Sequence, residues 1–100
     1  MPKMAVEVPH SLGLEEALKR VNDFLPKVRE HFKGQVSNLE ESWVGNVLNY
    51  SFSTFGFGVK GKMAVEENAV KIDQDLPFAA MMFKGKIEES LRKELQKLLA

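Results

Sequence analysis

The sequence predicts an α+β fold with the element order β-α-β-β-β-β-α, in which two amphipathic helices pack on one face of an antiparallel sheet. Three observations support this prediction. In residues 4–8, large apolar side chains occur at every second position, which is typical of a half-buried strand. Residues 14–32 and 83–98 carry apolar side chains at spacings of three and four, which indicates helices. Between them lie four short segments with polar outer faces, as in a sheet packed on one side only.

Length and composition predict a single domain spanning residues 1–100. A chain of 100 residues buries roughly 65% of the surface that its unfolded form exposes, enough to fold without disulfides or metal. Its 14 basic residues balance 14 acidic ones, so no overall field attracts nucleic acid. The absence of cysteine removes thiol nucleophiles and disulfides and fits a reducing cytoplasm.

The N-terminal third predicts a strand followed by a helix. In "MAVEV" the side chains of Met4, Val6 and Val8 share one face, and Pro9 ends the strand. Ser11 or Gly13 can cap the helix that follows. Pro26 lies inside the helical pattern and removes one backbone donor, so we expect a kink or two short helices.

Four strands are predicted next, and each is identified by the residues that share its inner face. "QVSNLEESWV" is the least regular of them. The inner-face residues are, in chain order, Leu39 and Trp43; Leu48, Tyr50 and Phe52; Phe57, Val59, Met63 and Val65; and Val70 and Ile72. Glu67 and Asn68 form the turn between the last two strands. We expect the aromatic stripe of Tyr50, Phe52 and Phe57 to belong to the core, because base-stacking platforms accompany basic grooves and this region is net acidic.

A final helix is predicted to open at Pro77, with Phe83, Ile87, Leu91, Leu95 and Leu98 on its buried side. Gly85 lies early in this pattern and would cost about 1 kcal/mol relative to alanine in a helix interior. Either the helix therefore begins near Gly85, or another group packs closely against it.

The stretch "GFGVKG" matches the GxGxxG pattern of nucleotide-binding loops at Gly56, Gly58 and Gly61. A dinucleotide loop leads into a helix whose N-terminal amides face the pyrophosphate, whereas "KMAVEE" continues a strand. We therefore expect Gly56 at a hairpin turn, and Gly58 and Gly61 at a bulge or where a bulky side chain or backbone approaches closely.

No catalytic, cofactor-binding or metal-binding residue is predicted. His10 and His31 are the two histidines, and neither belongs to a short metal-binding pattern. They are expected at the start and in the last turn of the first helix. The serines lack the context of a nucleophile elbow, and the acidic pairs fall at turns or on the outer face.

The segment "FAAMMF" is the candidate hydrophobic contact surface. Burial of this segment against the sheet is the favoured expectation. If its large side chains cannot all face inward, they form an apolar patch beside two lysines, suited to a partner or a hydrophobic particle. The candidate surface consists of Phe78, Met81, Met82, Phe83, Lys84 and Lys86.

A family resemblance rests on three segments, on their order and on the overall length: "PHSLGLEEA", "FGFGVKGKMAV" and "LPFAAMMFKGKIEESLRKEL". By these features the chain resembles the bacterial polyhydroxyalkanoic acid system family, also called the polyhydroxyalkanoate granule-region family. The resemblance implies a cytoplasmic accessory role in storage-polyester metabolism, and it supplies no catalytic residues.

Three hypotheses follow. The first is a non-enzymatic accessory protein that meets a hydrophobic granule surface or a protein partner. The second is a carrier that holds an acyl chain or another small apolar ligand in a pocket between sheet and helices. The third is a hot-dog-like acyl-thioester enzyme, although its catalytic pair cannot be placed. We expect no signal peptide, because "MPKMAVEV" lacks a basic region followed by an apolar run. We expect no membrane span, because the longest apolar run covers residues 76–83 and a span needs about 20 residues. The sequence does not define the oligomeric state.

Overall fold

The computed structural model describes residues 3–31, 33–54 and 56–100, without the side chains of Val28, His31 and Thr54. Phe32 and the side chains of Val28 and His31, which the sequence analysis assigned to the first helix, therefore lie outside the described residues. The elements are β1 (Lys3–Pro9), α1 (Leu14–His31), β2 (Ser37–Val44), β3 (Val47–Thr54), β4 (Phe57–Val65), β5 (Ala69–Asp75), a 3₁₀ helix (Phe78–Phe83) and α2 (Lys84–Leu99). This order confirms the predicted fold class.

The five strands form one antiparallel sheet in the order β1-β5-β4-β3-β2. β1 pairs with β5, with Val6 opposite Ile72, so the first strand of the chain lies beside the last. The other pairings join strands that are consecutive in sequence. The chain therefore returns to β1 through a meander of four strands.

The core lies between one face of the sheet and the two helices. The predicted inner-face residues of β1 are buried, with 0–2% of their surface exposed. The two helices contribute four fully or nearly buried residues to the same cluster: Ala17, Val21, Leu95 and Leu99. Each Val or Leu side chain removed from water in this way contributes about 1.5–3 kcal/mol before the entropic cost of folding.

Helix α1 begins after Gly13, not after Ser11. Gly13 adopts a φ of +81°, a backbone conformation that favours glycine, and its carbonyl accepts the N–H of Ala17 at 3.1 Å. The helix continues through Pro26 to His31, so, of the two outcomes expected at Pro26, a kink or two short helices, the second is wrong. Pro26 and Asn22, whose carbonyl loses its partner, are both exposed, and water can satisfy that carbonyl without ending the helix.

The two edges of the sheet differ in regularity. In β2 the pairing register shifts between Ser37 and Glu40, and Asn38 lies between them with a φ of +55°. This bulge explains the weak strand pattern of "QVSNLEESWV". β1 pairs with β5 without a register shift from Lys3 to Pro9.

Gly61 lies directly beneath the ring of Tyr50, its cross-strand neighbour on β3. A Cβ atom at Gly61 would come within 2.5 Å of the Tyr50 ring carbon Cζ and hydroxyl oxygen. This confirms the expectation that a bulky side chain approaches closely here. Gly58 has no neighbour within 4 Å of the same position, and β4 pairs with β3 there without a register shift. The expectation of a bulge or a close approach at Gly58 is therefore wrong.

We predict that Gly61→Ala lowers the free energy of unfolding by about 1–3 kcal/mol, because the added methyl group must displace the Tyr50 ring. Gly58→Ala is the matched control on the same strand and should be neutral or slightly stabilising. Urea unfolding followed by tryptophan fluorescence measures both values. Equal effects at the two positions would contradict this account of Gly61.

Candidate hydrophobic contact surface

The segment Phe78–Phe83 forms a 3₁₀ helix between β5 and α2, and none of its residues is buried. We call Phe78, Met81, Met82 and Phe83 the contact segment. Their exposed fractions are 78%, 42%, 83% and 55% respectively. The expectation that this segment is buried against the sheet is therefore wrong, and the exposed alternative describes the structure.

The geometry of the 3₁₀ helix explains the exposure. With three residues per turn, the consecutive residues Met81, Met82 and Phe83 point in three directions about 120° apart. They therefore cannot share one buried face. The turn is defined by the backbone alone: the N–H of Ala80 donates to the carbonyl of Pro77 at 2.9 Å, and no side chain caps its N-terminus.

The residues on either side of the contact segment fix its position. Leu76, before it, is 3% exposed and anchors the end of β5 in the core. After it, α2 begins at Lys84, which places Gly85 in the first turn and confirms the expectation that the helix begins near that glycine. The amino group of Lys84 lies 3.8 Å from a carboxylate oxygen of Glu88. Lys86 is exposed and contributes a second positive charge beside the apolar side chains.

The quoted glycine loop has the geometry of a hairpin. Gly56 adopts a φ of +82° between β3 and β4, as expected for a turn. β4 then runs without interruption from Phe57 to Val65. A strand therefore follows the glycines, where a dinucleotide loop requires the N-terminus of a helix.

His10 uses both ring nitrogens in hydrogen bonds at the start of α1. Its Nε2–H donates to the carbonyl of Glu66 at 3.0 Å, while its Nδ1 accepts the N–H of Leu12 at 3.1 Å. These bonds connect the β4–β5 turn to the residues before α1. Among the described residues, no group of three His, Cys, Asp or Glu side chains could hold a metal ion. The side chain of His31 lies outside that set.

Tyr50 and Phe52 lie partly buried on the inner face, with stacked rings 6.3 Å apart. Phe57 is 46% exposed, so the expectation that it belongs to the core is wrong. The Tyr50 hydroxyl donates to Oε1 of Gln74 at 2.6 Å. Burial, and secondly the negative charge of Asp73, raise the pKa of Tyr50 above its ordinary value of 10.0. Burial opposes formation of the phenolate because a charged group loses solvation there.

An open depression lies on the opposite, helix-free face of the sheet. It has a volume of about 870 Å³ and is lined mainly by polar and charged side chains, among them Lys60, Lys62 and Asp73. A second, smaller depression adjoins it and shares Lys60. The carrier hypothesis requires an apolar space between sheet and helices, so neither depression corresponds to it.

The fold and the exposed segment define a class of small α+β protein with one sheet, two helices and a protruding apolar turn. A family model described as "Putative polyhydroxyalkanoic acid system protein" matches residues 4–99, and the chain belongs to this family. The family name associates the protein with the polyhydroxyalkanoate system. Searches of curated proteins and of solved structures found no match. No helix in the described part of the chain is long and apolar enough to cross a membrane.

We predict that Tyr50, the single tyrosine of the chain, ionises above pH 10 in the folded protein. Absorbance at 295 nm should follow this titration without interference from another tyrosine. Because the folded state holds the proton more tightly than the unfolded state, the free energy of unfolding should fall as the pH rises above 10.

Tyr50→Phe is the control for this prediction. It should reduce the alkaline loss of stability, because the variant has no phenol to ionise. A tyrosine titration at the ordinary value in the folded protein would contradict the burial of the hydroxyl.

Proposed function

We propose that this protein is a non-enzymatic accessory protein of bacterial polyhydroxyalkanoate metabolism, which meets the hydrophobic surface of storage granules in the cytoplasm through the contact segment. Membership of the family supports the metabolic assignment. The observation that carries the contact is the exposure of four large apolar side chains within one six-residue helix. Large apolar side chains exposed close together in this way are typical of interaction sites.

The energetics favour a surface contact of this kind. An aromatic side chain buries 150–250 Å², so the exposed parts of Phe78 and Phe83 together present about 250 Å². At about 25 cal/mol/Å², covering this area would contribute about 6 kcal/mol before the costs of association. The two methionines add flexible side chains that can adapt to an irregular surface.

The two lysines that follow the contact segment can also contact an apolar surface. Lys84 is partly buried and Lys86 is exposed, both directly after the apolar residues. A long lysine side chain can lay its methylene groups along an apolar surface and keep its ammonium group in water. The contact segment and the two lysines therefore resemble the apolar and basic faces of interfacial helices.

We predict that Phe78→Glu combined with Met82→Glu reduces partition onto isolated granules about ten-fold or more, because 1.4 kcal/mol corresponds to a factor of ten. These two side chains are the most exposed of the segment, so their replacement should leave the fold intact. Co-sedimentation with granules measures the partition, and far-UV circular dichroism measures the fold.

The matched control is Val44→Glu combined with Ser90→Glu. It adds the same charge at exposed positions outside the segment, and Val44 is itself an exposed apolar residue at 67%. This control should partition like the wild-type protein. Equal partition of the contact-segment variant and the wild type would remove the proposed contact.

Further measurements distinguish granule binding from the alternative functions. Protein-free polyester particles distinguish the granule surface from a granule-bound protein partner. Native mass spectrometry of the purified protein would detect a co-purified acyl ligand, as the carrier hypothesis requires. Hydratase and thioesterase assays with acyl-thioesters test the enzyme hypothesis, and we expect no turnover.

A further inference from the structure

Strand β1 forms one edge of the sheet and, within the described part of the chain, pairs only with β5. Its outer-face residues Lys3, Ala5 and Glu7 are exposed. A regular edge strand presents a row of unpaired backbone groups that can pair with another strand. The opposite edge, β2, is interrupted by its bulge, so β1 is the more regular edge.

The hydrogen bonds of the neighbouring turn define which backbone groups of β1 face outward. The N–H of His10 donates to the carbonyl of Asn68 at 2.9 Å, and these two residues continue the β1–β5 register. In an antiparallel pair, successive residues direct their backbone groups alternately toward and away from the partner strand. Met4, Val6 and Val8 therefore bond to β5, while Lys3, Ala5 and Glu7 point away from the sheet.

A bond on the other side of β5 gives the same alternation. The N–H of Glu66 donates to the carbonyl of Ala69 at 2.8 Å, so Ala69 directs its backbone toward β4. Val70, the next residue, must then direct its backbone toward β1, where it lies opposite Val8. The outward row of Lys3, Ala5 and Glu7 is thus consistent with the hydrogen bonds on both sides of β5.

This outward row is complementary to itself in the antiparallel direction. When two copies of β1 pair about Ala5, Lys3 of each copy lies opposite Glu7 of the other, and Ala5 lies opposite Ala5. All three outward N–H groups of each copy then find a carbonyl, which gives six hydrogen bonds across the joint. Opposite charges at directly facing positions of a sheet are stabilising.

Two other registers of the same strand are less favourable. Pairing about Glu7 would place the two Glu7 carboxylates opposite each other and would bring Pro9, which lacks an N–H, opposite Ala5. Pairing about Lys3 would place two lysines opposite each other. Like charges at facing positions are destabilising, so the charges favour the Ala5-centred register over these two.

We propose that two copies of this chain form a two-fold symmetric dimer through β1, which joins their sheets into one sheet of ten strands. Since α2 already covers the inner face of β1, where Met4 and Val6 are 0% and 2% exposed, the joint consists of backbone hydrogen bonds and ion pairs. The partner that this edge fits is therefore a second copy of the same strand.

Charge reversal with mixing tests the proposal. In a dimer of the Lys3→Glu variant, two carboxylates would lie opposite each other at two places. In a dimer of the Glu7→Lys variant, two ammonium groups would do so. We expect each variant alone to dimerise at least about ten-fold more weakly than the wild type. An equimolar mixture of the two variants restores both opposite-charge pairs, so it should form heterodimers. Analytical ultracentrifugation should give the wild type and the mixture twice the 11.3 kDa chain mass.

A backbone variant provides a second test that does not involve charge. Ala5→Pro removes an outward N–H that has no bond within the sheet, so the monomer should keep its circular dichroism while dimerisation is lost. A wild type that sediments as a monomer at every concentration, or an Ala5→Pro variant that still dimerises, would overturn the proposal.

The contact-segment variant Phe78→Glu with Met82→Glu should remain a dimer, so failure of this interface and failure of the granule contact give different results. A dimer that dissociates only in the contact-segment variant would assign self-association to that segment instead.

Discussion

Burial of one face of the sheet under two helices is the constraint on which the rest of this structure depends. The core cluster joins Val6 and Val8 of the first strand to Leu95 and Leu99 near the end of the last helix. Such a contact between distant parts of the chain costs loop-closure entropy before it contributes stability. The pairing of β1 with β5 offsets part of that cost, because it brings the first strand and the last strand together beneath α2.

The same arrangement explains why the contact segment is exposed. The chain leaves β5 at the end of the sheet where Lys3 faces Asp75, and it must then pass from the sheet to the layer of helices. Leu76, directly after β5, is still buried, and the buried residues of α2, Leu95 and Leu99, lie near its C-terminus. The residues that make the crossing therefore lie beyond the core, although their composition is as apolar as that of a core helix.

The sequence was sufficient to predict the faces of the strands but not their neighbours. Alternation at Met4, Val6 and Val8 predicts which side chains are buried, because the period of two is a local property. The placement of β1 beside β5 depends on non-local pairing, which no local pattern contains. Similarly, the glycine pattern indicated a bulge or a close approach at both Gly58 and Gly61, and only the Tyr50 ring above Gly61 distinguishes the two.

The apolar composition of the candidate site could be predicted from the sequence, but its exposure to solvent could not. Pro77 and the spacing from Phe83 to Leu95 favour a single helix, but the α-helical pattern applies only from Lys84 onward. In the tighter turn before it, three large residues in succession cannot point the same way. The expectation of burial was wrong because it treated the segment as part of an α-helix with one apolar face.

The two proposed surfaces are related through the geometry of β1. The Lys3 end of this strand lies beside the end of β5 from which the contact segment begins. A two-fold axis perpendicular to the joined sheet would keep both helical layers on one face and place the two contact segments at opposite ends of the strand pair.

A surface that meets one segment could then meet the second at a high effective concentration, provided that it is flat enough to reach both. A particle much larger than the protein satisfies this condition, whereas a small soluble ligand does not. Pairing through β1 would thus favour binding to an extended hydrophobic surface without adding any contact to either segment.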